Sequence, residues 1–416
     1  MSDLSELSDV AELRDERELP EPVSYPFSAP DRLVVDPAYQ RLREQDGLIR
    51  VQLPYGKPTW LATRYADVKI VLGDPRFSRE QALGEDEPRI LSFSHRPDSI
   101  LTMDAPGHTR LRKAVAKAFT MRRIELLRPR TQQIVDGLLD DMEKTGGPAD
   151  LIRSFAVAVP MMVICELLGG PYEDRHKFHH WSEILASTRS SEYTKDDIAQ
   201  ADAELRGYLA DLVEIKRTQP GEDLLTVLLE SQRTDDNPLT DTEIVGLAWS
   251  VLLAGFEITT NMMVNAAYLL LTEPEAGTRL RDEPELLGRA VEELLRHVQL
   301  TTGSFFPRKA LEDIELGGTL VRAGETVLPS TLAANRDESV FPGADRLDFD
   351  RTENSHLTFS YGIHHCLGAP LARMELQVAL GTLLRRFPEL RLADVDSIPW
   401  REGSILRGPS SLVVAW

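Results

Sequence analysis

The residues Phe359-Ser360-Tyr361-Gly362-Ile363-His364-His365-Cys366-Leu367-Gly368 hold the sharpest chemical signal in the chain. Two glycines bracket a cysteine, and Ala369-Pro370 then opens a helical stretch. A thiol just ahead of a helix N-terminus meets backbone N–H groups and the positive end of the dipole, and both favour the thiolate. Glycine at 362 and 368 lets the backbone turn left-handed and lets a bulky group come close. A thiolate held this way, with a large planar group above it, is how a protein binds haem iron through cysteine. Three other roles fit the same residues. Cys366 could be a buried inert thiol, the usual fate of a lone cysteine. It could be a nucleophile beside His364 or His365, although the dipeptide lacks an orienting acid. It could join those histidines on zinc, although no second cysteine lies at a useful spacing. Cys165, inside the apolar run Val163-Ile164-Cys165-Glu166-Leu167-Leu168, reads as a core thiol.

A second signal is an acid where none belongs. Residues 242–271 read as one helix of about thirty residues, roughly 45 Å long, behind the start signal Thr240-Asp241-Thr242-Glu243. It is apolar on almost every side from Leu247 to Val251, the mark of a central, buried helix. Inside it stand Gly255 and Glu257. A glycine in a helix interior costs about 1 kcal/mol, and a buried carboxylate costs more. Two such violations side by side mark a functional site. A flexible kink carrying a solvated acid is the plainer alternative.

Both signals need a scaffold. Helical periodicity covers residues 123–143, 197–218, 223–231, 242–271, 284–299 and 369–386, with Pro284 suited to a first helical position. Short strands fit 48–53, 58–62, 314–316, 319–321, 326–329 and 412–415, bounded by turn residues such as Gly317-Gly318. The fold class is mainly α with small β-sheets. Residues 1–22, with eight acids against two arginines, read as a flexible acidic tail, and 23–416 as one catalytic domain.

A chain of 416 residues buries about three-quarters of its unfolded surface and needs no disulfide or metal staple. Its two cysteines make no disulfide framework and suggest a reducing compartment, so the expected location is the cytoplasm. Lys+Arg is 47 and Asp+Glu is 67, a formal charge of −20 that repels nucleic acid and anionic lipid. No uncharged apolar run is long enough to span a membrane, and the acidic N-terminus lacks an apolar signal core.

The cysteine segment resembles the signature of the cytochrome P450 superfamily, Phe-x-x-Gly-x-His/Arg-x-Cys-x-Gly. Phe359, Gly362, His364, Cys366 and Gly368 fill its fixed positions. Glu293-Leu294-Leu295-Arg296 resembles the family's Glu-x-x-Arg, and Phe341-Pro342-Gly343-Ala344-Asp345-Arg346 resembles the segment that supplies a downstream arginine. The resemblance implies that Glu293, Arg296 and Arg346 satisfy one another and lock the cysteine loop. His108 and Arg112 resemble a His-x-x-x-Arg pair that shares one helix face, and Arg308 and His364 resemble further donors to the haem propionates. Ala254-Gly255-Phe256-Glu257-Ile258-Thr259 lies where the family has Ala/Gly-Gly-x-acid-Thr, beside the haem. There the acid and alcohol relay protons to bound dioxygen. Here Glu257 supplies the acid, but Ile258 holds the alcohol position, and Thr259 is turned away by about 100°. Protons would then arrive through a substrate hydroxyl or ordered water.

The resemblance covers nearly all of the chain from about Tyr25 and looks like the soluble bacterial branch, especially actinomycete tailoring enzymes. It implies a monomeric haem-thiolate monooxygenase with haem b on Cys366, using dioxygen to hydroxylate or epoxidise a medium-sized hydrophobic molecule such as a polyketide or macrolide. The pocket would be lined by 90–101, 182–191, 301–305 and 405–406, among them Leu101, Thr302, Phe305 and Ile405, together with Leu253, Ala254 and Ile258. The sequence has no flavin or iron–sulfur motif, so a separate ferredoxin and reductase are implied. Arg110, Arg112, Lys113, Lys117, Arg122 and Arg123 form a basic patch that could dock an acidic ferredoxin or be an ordinary solvated face. A binding protein without catalysis and a peroxide-driven oxidase remain as alternatives.

Overall fold

The sequence places helix starts where polar caps meet apolar periodicity, and the folded chain obeys them. In the computed structural model, which describes residues 19–27, 32–91, 96–185, 193–234 and 236–416, the helices that build the site are six. They are α1 (Gly107–Ala116), α2 (Met121–Thr145), α3 (Asp241–Gly255), α4 (Glu257–Thr272), α5 (Leu287–His297) and α6 (Ala369–Arg386). Residues 1–18 of the expected acidic tail lie outside the described residues. About 52% of the chain is helical, so the mainly α expectation stands.

Thr240 starts α3 with a reciprocal cap: its hydroxyl accepts from Glu243 N at 3.2 Å, and the Glu243 carboxylate accepts from Thr240 N at 2.8 Å. Of the expected helices, 369–386 coincides with α6, and 123–143 lies inside α2. Residues 197–218 fall within Lys195–Thr218. The stretch 223–231 becomes Leu224–Thr234, because Asp223 instead caps it through Thr226 N at 2.8 Å. The stretch 284–299 divides into a short 3-10 turn, Pro284–Leu286, and α5, which stops where Val298 turns extended.

The thirty-residue central helix is not continuous. Phe256, with φ −88° and ψ −68°, separates α3 from α4. Gly255 sits at the break, where a Cβ would lie 3.0 Å from Ile164 Cδ1. Beyond the break, every residue from Thr259 to Leu270 is buried, so α4 is a core helix. The span Asp241–Thr272 is long and apolar enough to cross a membrane by composition, but half of its most apolar window is packed inside the protein.

A six-stranded sheet takes strands from both ends of the chain. Its order is Val23–Ser24, Ile49–Gln52, Thr59–Ala62, Thr326–Pro329, Arg308–Ala310, Phe77–Ser78. Thr59–Ala62 runs parallel to Thr326–Pro329, with Trp60 opposite Val327. The Thr59 hydroxyl also donates to Thr326 O at 2.9 Å. A second sheet joins Val413–Ala415 to Arg391–Leu392 and Ala149–Asp150, and Ile314–Leu316 pairs with Thr319–Val321 as a hairpin. The large sheet delivers Arg308 and the residues flanking Phe77–Ser78 to the same side of the site.

Candidate active site

Cys366 is held by its own loop. Its N–H donates to Phe359 O at 2.8 Å, and His365 N donates to Gly362 O at 3.1 Å. Gly362 has φ +71°, and a Cβ there would come within 2.7 Å of Leu72 O, so only glycine fits. Gly368 differs from expectation. Its φ is an ordinary −81°, and a Cβ added to it meets nothing within 4 Å. Its role is therefore clearance and not a left-handed turn. Burial pushes the Cys366 thiol up, while backbone N–H groups of Gly368 and Ala369 and the nearby Arg112 cation favour its thiolate.

Above this loop five basic side chains converge. His108 on α1 and His364 have ring centroids 4.4 Å apart. Arg79, His108 and Arg308 are almost fully buried, and Arg112 is half-buried one turn along from His108. Burial, then Arg112 and Arg79, lowers His108 to about 4. Burial lowers Arg308 to about 10. Burial, Arg79 and Arg308 drive His364 far below its usual range. His108 Nδ1, His364 Nε2 and Arg79 Nε are buried without a hydrogen-bond partner. The carboxylate that counters the cluster is Asp104, which is engaged by Ser78 Oγ and by Arg79 N at 3.1 Å. With the two histidines neutral, three arginines remain as like charge, and burying them is unfavourable unless an anion joins them.

The central helix supplies the opposite wall. Between 250 and 270 the exposed positions are Ala254 and Ile258, the latter 38% exposed. Thr259 is only 6% exposed, so the alcohol is turned away from the face that Ile258 presents. Glu257 is buried at 7% exposure, which removes the solvated-kink alternative. Its Oε2 lies 3.6 Å from Arg401 Nη1.

These positions can now be set beside known proteins. The family model for cytochrome P450 matches residues 38–415. The chain belongs to the cytochrome P450 family. It is similar to nocardicin C N-oxygenase of Nocardia uniformis subsp. tsuyamanensis, 49% identical over 94% of this chain and 98% of that protein. It is similar to mycinamicin IV hydroxylase/epoxidase of Micromonospora griseorubida, 47% identical over 95% of this chain and 99% of that one. Among solved structures, the LnmA cytochrome P450 hydroxylase from the leinamycin pathway of Streptomyces atroolivaceus S-140 superposes with TM-score 0.89. It is 49% identical, over 95% of this chain and 100% of that one. This P450 is thus a monooxygenase with a haem-thiolate cofactor.

The residues fit that cofactor. Cys366 offers a thiol beneath the clearance at Gly368, and the basic cluster offers unpartnered donors to two carboxylates. When bound, the haem activates dioxygen and inserts one oxygen atom into the substrate. Arg79 belongs to the cluster and was not apparent from the sequence, because it lies beside a two-residue strand, far from any motif. Arg401 was missed for a similar reason.

The buried ion cluster of this P450 corrects one assignment. Glu293 Oε1 and Oε2 accept from Arg296 at 2.7 and 2.8 Å, as expected. The third cation is Arg351, whose Nε donates to Glu293 Oε2 at 3.2 Å, and Asn354 Nδ2 and Asp348 N complete the set. Arg346 is exposed and contributes only its carbonyl oxygen, which accepts from Arg296 Nη2 at 3.2 Å. The turn at Gly343 carries the Arg346 side chain outward, while 348–354 folds back over Glu293. Arg296 Nη1 donates to Asn335 O at 2.8 Å, and Asn335 Oδ1 receives Leu357 N at 2.7 Å, which ties the cluster to the cysteine loop.

The expected pocket is brought together in part. Ile90 and Phe305 line a small cleft with Arg79, Glu87, Thr102 and Phe306. Thr302 N donates to Ile405 O at 2.9 Å, so those two segments meet. Leu101 and Leu253 are half-buried, and Leu253 packs against the main core. Residues 92–95 and 186–191 of the expected lining lie outside the described residues. The basic patch is smaller than expected. Arg110 is bound by Glu243, and Arg112 faces Cys366, leaving Lys113, Lys117, Arg122 and Arg123 on the exposed face.

Proposed function

We propose that this P450 hydroxylates or epoxidises a medium-sized, mostly apolar natural product of the polyketide or macrolide class, and that its cofactor is haem b. The cluster of His108, His364, Arg79, Arg112 and Arg308 carries this reading. Its buried, unpartnered nitrogens above a recessed cysteine suit a planar dicarboxylate whose metal meets Cys366. The apolar wall of Ile258, Phe305 and Ile405 favours an apolar substrate. Of the named relatives, the mycinamicin IV hydroxylase/epoxidase supports the substrate class. Residues 23–416 act as the catalytic domain, as a monomer in the cytoplasm.

In this reading Glu257 holds the acid's place in a proton relay, Ile258 offers no hydroxyl, and substrate or ordered water completes the route. Electrons come from a separate ferredoxin and reductase, with Lys113, Lys117, Arg122 and Arg123 as the dock. The first test is the carbon monoxide difference spectrum of the dithionite-reduced protein. The red-shifted band of thiolate-ligated haem is expected, and its absence with ample haem supplied overturns the reading. Substrate-induced spin-shift titration with macrolides then tests the class; no response from any macrolide or related polyketide rejects it. Ile258→Thr should retain or improve turnover of poor substrates, and loss of oxygen activation counts against the proton route.

A further inference from the structure

The buried face of α4 carries polar side chains at every fourth position: Glu257, Asn261 and Asn265. The C-terminal segment 400–409 lies along them. Asn261 Nδ2 and Asn265 Nδ2 both donate to Arg407 O at 2.7 Å. Gly408 permits the approach, since a Cβ there would sit 2.3 Å from Asn261 Oδ1. The segment folds back on itself through Arg401 N to Gly408 O at 2.9 Å and a bridge between Trp400 and Pro409. Trp400 packs edge-on against Tyr268, 5.3 Å between ring centroids. These contacts fix Arg401 beside the acid, with Nη1 3.6 Å from Glu257 Oε2.

We propose that Arg401 is the positioning residue for Glu257: it keeps the acid ionised and turned toward the C-terminal segment. The proposal rests on the proton-route reading of Glu257 given above. A carboxylate at 7% exposure is reluctant to ionise, and a nearby cation restores the charged form. Arginine suits the task because it does not lose its proton. Its side chain is 22% exposed, so it links the buried acid to solvent. Among the described residues, His179 is a further basic group near this turn, and its ring packs on Phe256 at 5.7 Å. Ile405, on the pocket side, belongs to the same folded segment, so one element holds both the pocket wall and the acid's partner.

The test is an infrared pH titration of the ferric holoprotein, with the Glu257 carboxyl band identified by its loss in Glu257→Gln. Arg401→Ala should raise the midpoint of that band by roughly 1 pH unit or more. Arg401→Lys should return it toward wild type, and Arg401→Gln, closer in shape, should behave as the alanine variant if that one folds poorly. A second readout is hydrogen peroxide released per electron supplied through a ferredoxin and reductase. It should rise about twofold or more in Arg401→Ala, and Arg401→Ala should add little in the Glu257→Gln background. An unmoved midpoint in both Arg401→Ala and Arg401→Gln overturns the proposal, as does a fully additive double variant. If Glu257→Gln alone leaves peroxide release unchanged, the proton-route reading fails, while the midpoint still decides whether Arg401 holds the acid.

Discussion

Two buried charge clusters flank the site, and they are built on opposite principles. Around Glu293, two guanidiniums, an amide and a backbone N–H share one carboxylate, and Arg296 spends its remaining donors on carbonyls. Every charge in that cluster meets a partner, and only Asn354 Oδ1 among its named groups is left over. Around His108 and His364, both held neutral, the charges of Arg79, Arg112 and Arg308 are alike and three buried nitrogens lack partners. That cluster needs a ligand to close it. A satisfied buried network fixes structure, whereas an unsatisfied one reserves its donors for something that arrives later.

The strongest way to break this contrast is at Glu293. Glu293→Gln leaves Arg296 and Arg351 buried with no counter-charge, so a loss of about 3–5 kcal/mol is expected in chemical denaturation. A loss below 1 kcal/mol would mean that the cluster does not hold the fold. A smaller effect separates the two sides by pH. Burial, Arg336 and Arg296 lower His297 to about 2 in the fold, whereas an unfolded histidine titrates near 6.5. Between those values the unfolded chain binds the extra proton, so stability falls as pH drops, by up to ~1.4 kcal/mol per unit. His297→Asn should lessen that slope, to which His108 and His364 also contribute, and identical pH profiles would remove His297 from the account.

The open side should respond with the opposite sign. Arg308→Met removes one of several crowded cations, so the haem-free protein should be no less stable than wild type. Haem transfer to an acceptor globin should nonetheless be at least about tenfold faster. If haem-free Arg308→Met is destabilised as much as Glu293→Gln, the two clusters are of one kind after all. The smallest expected effect lies on the surface. Lys113→Glu should raise the apparent KM for ferredoxin a few-fold and weaken its salt dependence, and unchanged kinetics would remove that face from the electron path.

The parts of the molecule that sequence could reveal are those with local causes. The α6 boundaries follow from Gly368, Pro370 and an apolar period, and the hairpin 314–321 follows from Gly317-Gly318. Cys366, Glu257 and the outward turn of Ile258 were legible because helix geometry fixes neighbours. What failed depended on distant packing. The choice of Arg351 over Arg346 is made by where a loop folds back over Glu293, and both arginines suit the spacing equally. The break at Phe256 has no proline to announce it. Arg79 and Arg401 gain their meaning from elements more than a hundred residues away in sequence.

The pairing of Thr59–Ala62 with Thr326–Pro329 also bears on the order in which the molecule assembles. The Thr59–Thr326 contact spans 267 residues, while Glu293 reaches Arg351 across 58. Closing the longer loop costs roughly 1 kcal/mol more in chain entropy, and such contacts form late. The clamp behind the cysteine is therefore expected early in folding, and the strand that carries Arg308 into place late. Haem capture then belongs to the final stage of folding, when the cysteine loop is already set and the propionate donors arrive to meet it.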